Sequence, residues 1–63
     1  MKIGLDIMGG DYAPKATVLG AIAACKTLPE GQTLVLIGDK YLALSILQEN
    51  GFSANNFEFV NTT

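Results

Sequence analysis

The sequence predicts an α/β fold in which three parallel strands alternate with two helices in the order βαβαβ. Three observations predict it. Short apolar runs of strand length flank two longer segments with helical periodicity. Each change of period falls at a glycine or a proline. The run Thr33-Leu34-Val35-Leu36-Ile37 is continuously apolar after its threonine, the pattern of a parallel strand covered on both faces. Short connections and right-handed crossovers make this order one half of a doubly wound sheet.

Lys2 to Ile7 reads as the first strand, with Ile3, Leu5 and Ile7 on one face and Gly4 and Asp6 on the other. Met8 to Ala13 is a turn. Pro14 suits the first helical position, where its missing N–H costs nothing. The helix runs to about Leu28 and ends at Pro29-Glu30-Gly31. Thr33 to Ile37 is the second strand, Gly38 turns the chain, and Asp39 is placed to cap a second helix. That helix runs to about Asn50, with Gly51 as its C′ residue. Asn56 to Val60 is the third strand, with Phe57 and Phe59 on one face.

The first helix is apolar nearly all round. Val18, Ala21, Ile22, Cys25 and Leu28 form one face, while Ala16, Leu19, Ala23 and Ala24 cover much of the rest. Only Lys15 and Lys26 break the apolar surface, which predicts burial on more than one side. Three strands cannot supply that. The second helix has a polar face of Tyr41, Ser45, Gln48 and Glu49. Gly20 interrupts a good helix at a cost of about 1 kcal/mol, and close approach of helix to sheet would account for it.

The chain has 63 residues, 49% of them apolar. A domain of this size buries only about 60% of its unfolded surface and is marginal without a staple. One cysteine and no histidine exclude an intrachain disulfide and a histidine metal ligand, and no metal site is assigned. Cys25 reads as a small core side chain. The expectation is that residues 1–63 are the N-terminal segment of a larger α/β domain. The net charge is −2, and the four basic residues Lys2, Lys15, Lys26 and Lys40 are spread along the chain. A nucleic-acid partner needs clustered basic residues and is not expected. No run reaches the ~18 apolar residues of a bilayer span, and Asp6 to Asp11 interrupts any signal-peptide core, so the cytoplasm is the expected location.

The functional signal is Leu5-Asp6-Ile7-Met8-Gly9-Gly10-Asp11-Tyr12-Ala13-Pro14-Lys15. A strand, a glycine turn and a helix N-terminus in that order make a place where backbone N–H groups face an anion. Gly9 and Gly10 can adopt positive φ and let a ligand approach the backbone. Lys15 adds a formal positive charge in the first helical turn. A phosphate, a carboxylate or an oxyanion fits. The same glycines also serve a tight turn that holds no ligand. The dinucleotide fingerprint is absent, because the glycines are adjacent and the next is Gly20. The phosphate loop of nucleotide hydrolases is absent too, since Gly10 is followed by Asp11. Asp6 and Asp11 can hold a metal, orient a substrate or act as a base, or they can hydrogen-bond the N–H groups of turn and helix entry. Tyr12 suits a pocket wall or packing.

Asp6-Ile7-Met8-Gly9-Gly10-Asp11-Tyr12-Ala13-Pro14 closely resembles the N-terminal signature of the bacterial phosphate acyltransferase PlsX family. Those proteins commonly open with a basic residue, a short apolar strand and Asp-Ala-Met-Gly-Gly-Asp, then an aromatic residue and Ala-Pro. Thr17-Val18-Leu19-Gly20-Ala21 and Leu36-Ile37-Gly38-Asp39 match the next landmarks in order and spacing. Ile7 stands where alanine is usual, and the family's Gly-Asn-Thr-Gly segment is absent.

The resemblance implies a three-layer α/β/α parallel-sheet fold like that of isocitrate and isopropylmalate dehydrogenases and phosphotransacetylases. It implies transfer of a fatty acyl group from acyl carrier protein to inorganic phosphate, giving an acyl phosphate for phospholipid synthesis. It also implies a homodimer that needs no cofactor and works beside the membrane. On this reading Gly9, Gly10 and Lys15 place phosphate, and Asp11, with Asp6 second, orients the loop or a substrate. The 63-residue segment alone is then inactive. The competing expectations are a non-catalytic α/β binding module and a phosphotransacetylase-like enzyme.

Overall fold

A computed structural model of the chain describes residues 1–62. Its elements are β1 (Lys2–Asp6), α1 (Lys15–Cys25), β2 (Thr33–Gly38), α2 (Lys40–Glu49), a short 3₁₀ turn (Ala54–Asn56) and β3 (Phe57–Asn61). The strands form one parallel sheet in the order β1-β2-β3. The predicted α/β alternation is the observed one.

Register explains the layers. Ile3 lies opposite Leu34, which lies opposite Phe57; Leu5, Leu36 and Phe59 form the next row. These six side chains share one face of the sheet. Both crossovers run in the same direction, so right-handed connections place α1 and α2 side by side over that face. The helices touch each other. One core results, built from Ile7, Val18, Ala21, Ile22, Leu34, Leu36, Ala43, Leu47 and Phe57. Phe57 packs against Phe52 at 5.7 Å and against Phe59 at 6.5 Å between ring centroids.

The other face carries Gly4, Val35, Ile37 and Val60, and nothing among the described residues covers it. The expected cover of β2 on its second side is not met within the described residues, where Val35 and Ile37 are only half-buried. Sequential strand order is the cause, because it sends both helices to one side. On this open face Lys2 Nζ and Glu58 Oε1 pair at 2.9 Å across β2, an exposed bridge that contributes little. The outer surface of α1 is likewise uncovered. Ala16, Gly20, Ala23 and Ala24 are exposed, and Leu19 is 37% exposed. Its predicted burial on a second side is not met within these residues.

Element ends follow local chemistry. Asp39 Oδ1 accepts from Tyr41 N at 3.0 Å and Leu42 N at 3.2 Å, the expected cap of α2. Gly51 takes φ +65°, with Gly51 N donating to Gln48 O at 3.1 Å and Phe52 N to Leu47 O at 2.9 Å. That pair of bonds is a Schellman ending. The helix α1 ends at Cys25, before the predicted Leu28, because Thr27 N and Leu28 N turn to the carbonyls of Ala24 and Cys25. The 3₁₀ turn before β3, held by Asn55 N donating to Ser53 Oγ, starts that strand at Phe57.

Close approach to the sheet is not the reason for Gly20. It is exposed, and a Cβ built on it meets no atom within 4 Å. Gly20→Ala is expected to raise stability by about 1 kcal/mol through helix propensity and reduced unfolded-state freedom. Urea unfolding of the two chains measures it; an unchanged or lower midpoint contradicts the account.

Candidate functional site

Parallel strands finish on one edge, so Asp6, Gly38 and Asn61 all end where the glycine turn begins. Ligands of open α/β sheets bind outside this edge. The turn is built from β1 outward. Asp6 Oδ1 accepts from Met8 N at 2.9 Å, an Asx turn that bends the chain out of the strand. Ile7 N donates to Ile37 O at 3.0 Å, which extends the ladder by one residue. Gly10 has φ +98°, a conformation only glycine takes without strain. Gly9 has no positive φ, and a Cβ there would lie 3.6 Å from Asp6 Oδ2, an ordinary contact. Of the two glycines, only Gly10 is demanded by backbone conformation.

The helix entry is one residue later than predicted. Pro14 is the N-cap, with a cis Ala13–Pro14 bond, and Lys15 is the first helical residue. Ala16 N donates to Tyr12 O at 3.0 Å and Val18 N to Pro14 O at 2.9 Å. Among the described residues, the N–H groups of Lys15 and Thr17 donate to no acceptor, and no side chain caps α1. Asp39 caps α2, so the start of α1 is the one of these two helix entries that leaves donors and partial positive charge open.

Asp6 and Asp11 divide the two readings of the carboxylates. Asp6 takes the turn-forming role. Asp11 is exposed and makes no hydrogen bond or ion pair among the described residues, so it neither caps the helix nor closes the turn. Lys15 is also exposed and unpaired among the described residues. Tyr12 is 81% exposed, which removes a packing role within this chain. Among the described residues, no group of three or more His, Cys, Asp or Glu could hold a metal ion. A shallow groove lined by Leu44, Leu47, Gln48, Gly51, Phe52, Ser53 and Ala54 lies at the opposite edge of the sheet, away from the turn.

One contributor escaped the sequence reading. Thr17 Oγ1 donates to Ile7 O and also lies 2.9 Å from Pro14 O. It clasps the first turn of α1 to the end of β1. A hydroxyl one position before the buried Val18, three residues after Pro14, was the available signal.

A family model described as fatty acid synthesis protein matches residues 1–63, the whole chain. The chain belongs to this family. A protein named phosphate acyltransferase from Brevibacillus brevis is 60% identical over 40 residues, 64% of this chain and 12% of that protein. Phosphate acyltransferase of Dictyoglomus thermophilum is 43% identical over 61 residues, covering 97% of this chain and 18% of that protein. The protein of the same name from Clostridioides difficile is 43% identical over 63 residues, 100% of this chain and 18% of its own length. The chain thus spans less than a fifth of these fatty acid synthesis relatives. No helix among the described residues is long and apolar enough to cross a membrane.

Thr17→Val keeps the shape but removes the donor, leaving Ile7 O without its side-chain partner. The expected loss is about 1 kcal/mol, with Thr17→Ser close to the parent. Urea unfolding of all three chains distinguishes the hydroxyl from the β-branch; equal stability of the valine variant contradicts the clasp.

Proposed function

We propose that this chain forms the phosphate-holding wall of a phosphate acyltransferase that makes acyl phosphate from an acyl carrier protein thioester and inorganic phosphate. The observation that carries the reading is the open entry of α1, where uncapped N–H groups, Gly9-Gly10 and Lys15 follow one another on the ligand-binding edge. The names of the relatives support the same chemistry.

The reaction joins a phosphate oxygen to the thioester carbonyl carbon. The carbon–sulfur bond breaks, and the carrier thiolate leaves and takes up a proton. No residue of this turn is a covalent nucleophile, so its work is positioning and stabilisation of charge. The N–H groups of Gly9 and Gly10 face the anion, and Lys15 adds a full charge. Asp6 holds the turn through Met8 N–H. Asp11, free of internal partners, orients a substrate group. The enzyme is a homodimer without a nucleotide cofactor, working in the cytoplasm beside the membrane whose phospholipid its product feeds. The remaining walls of the pocket belong to the longer protein.

In the full-length enzyme, Lys15→Ala is expected to raise the phosphate KM about tenfold, and Asp11→Ala to lower kcat or raise that KM by a similar factor. Steady-state kinetics with acyl carrier thioester and phosphate check both; an Asp11→Ala enzyme with unchanged kcat and phosphate KM removes Asp11 from the mechanism. The purified 63-residue chain is expected to form no acyl phosphate in the same assay, and detectable product contradicts that.

A further inference from the structure

Gly38 closes β2, apart in sequence from the glycine turn, yet its surroundings tie it to that turn. A Cβ built on Gly38 would sit 2.7 Å from Ile7 Cγ1, 2.7 Å from Met8 Cγ and 3.2 Å from Met8 Sδ. Its φ is +154°, and the residue is buried at the end of β2. Gly38 O accepts from Thr62 N at 3.0 Å, so the ends of all three strands meet at this residue. Among the described residues, no other glycine would bring a Cβ within 3.0 Å of a neighbour.

We propose that Gly38 is a positioning residue for the anion turn: its missing side chain is the seat on which Ile7 and Met8 rest, and this seat sets where Gly9 and Gly10 lie. The inference rests on the reading of that turn as the phosphate site. Ile7 cannot yield by rotating away. It is 0% exposed and walled by the core. Its N–H is held by Ile37 O and its carbonyl by Thr17 Oγ1, while Met8 N–H is held by Asp6. A methyl group at Gly38 needs at least about 0.7 Å more room to reach ordinary contact, which begins at 3.4 Å. The half-exposed Met8 side chain can turn into solvent, but Ile7 cannot, so the backbone at residue 7 must move and the glycines that follow move with it. Misplacement by about 1 Å of the groups that position a reactant can cost on the order of 10²-fold in rate.

The prediction is that Gly38→Ala in the full-length protein displaces the Cα atoms of Gly9 and Gly10 relative to the parent. It also weakens binding of inorganic phosphate at least tenfold. Crystal structures and equilibrium phosphate binding are the readouts, with circular dichroism confirming the fold. Met8→Ala, which truncates a half-exposed side chain, vacates the same seat without adding a clash and keeps the test available if Gly38→Ala does not fold. It too is expected to weaken phosphate binding. Where both single variants fold, the double variant should bind phosphate better than the product of the two single effects, because the new methyl group fills the space Met8 has left.

An unmoved turn in a folded Gly38→Ala protein overturns the inference. So does phosphate affinity within twofold of the parent, in Gly38→Ala or, if that variant does not fold, in Met8→Ala. If the parent itself binds no phosphate, the reading of the turn fails instead. The crystal structures, of Met8→Ala where Gly38→Ala does not fold, then decide the positional claim alone.

Discussion

The structure depends on the fixation of Ile7. This residue is where sheet, helix and turn meet: its N–H extends the β1–β2 ladder, its carbonyl takes the Thr17 hydroxyl, and its side chain is completely buried. Ile7 is thus held at its N–H by the ladder, at its carbonyl by a helix hydroxyl and at its side chain by the core. A strand end with only ladder bonds would fray. Here the strand is pinned at the point where it must hand over to an irregular loop, so the loop begins from a rigid origin.

That origin explains why the glycine turn sits at the carboxyl-terminal edge of the strands rather than folding back over the sheet. The Asx turn at Asp6 bends the chain outward, Gly10 reverses it in a conformation other residues resist, and the turn before Lys15 winds it into α1. Thr17 closes the circuit by tying α1 back to the starting point. The order of the strands then settles the rest. Sequential pairing sends both helices to one side, which buries one face of the sheet and leaves Val35, Ile37 and Val60 on the other. The uncovered apolar surfaces of the sheet and of α1 are what the sequence carried in excess of a two-layer need.

Periodicity and turn chemistry made most of the fold legible. Asp39 and Gly51 could be placed because each does one local job that few residues do. The glycine turn was legible for the same reason. What escaped involves residues distant in sequence. Gly20 looked like a site of close packing and is open, whereas Gly38 looked like a simple turn and is the tightest glycine in the chain. Composition cannot separate those two, because the difference lies in which side chains arrive from other elements. Asp6 and Asp11 posed the same problem: both suit a turn, and only the backbone path shows that Asp6 reaches Met8 N–H while Asp11 reaches nothing within the described residues. Thr17 was hidden in an apolar helix, where a hydroxyl's partner is a carbonyl ten residues back.

Two carboxylates beside the proposed anion site look self-defeating, and the geometry answers only half of that objection. The acid at Asp6 spends one oxygen on Met8 N–H, so its charge is partly offset where it stands. Asp11 has no such partner. In open water its repulsion of a phosphate about 6 Å away is only about 0.7 kcal/mol per unit charge, comparable to the ~0.3–1 kcal/mol offered by a helix N-terminus. At an exposed wall the two effects nearly cancel, and on the proposed reading Lys15 tips the balance. Covering the site removes water and strengthens every term, the unfavourable one included. An unpaired carboxylate enclosed beside phosphate is far too costly to persist. Asp11 in a closed site therefore has two stable fates, staying in solvent or meeting a cation or a donor from the substrate.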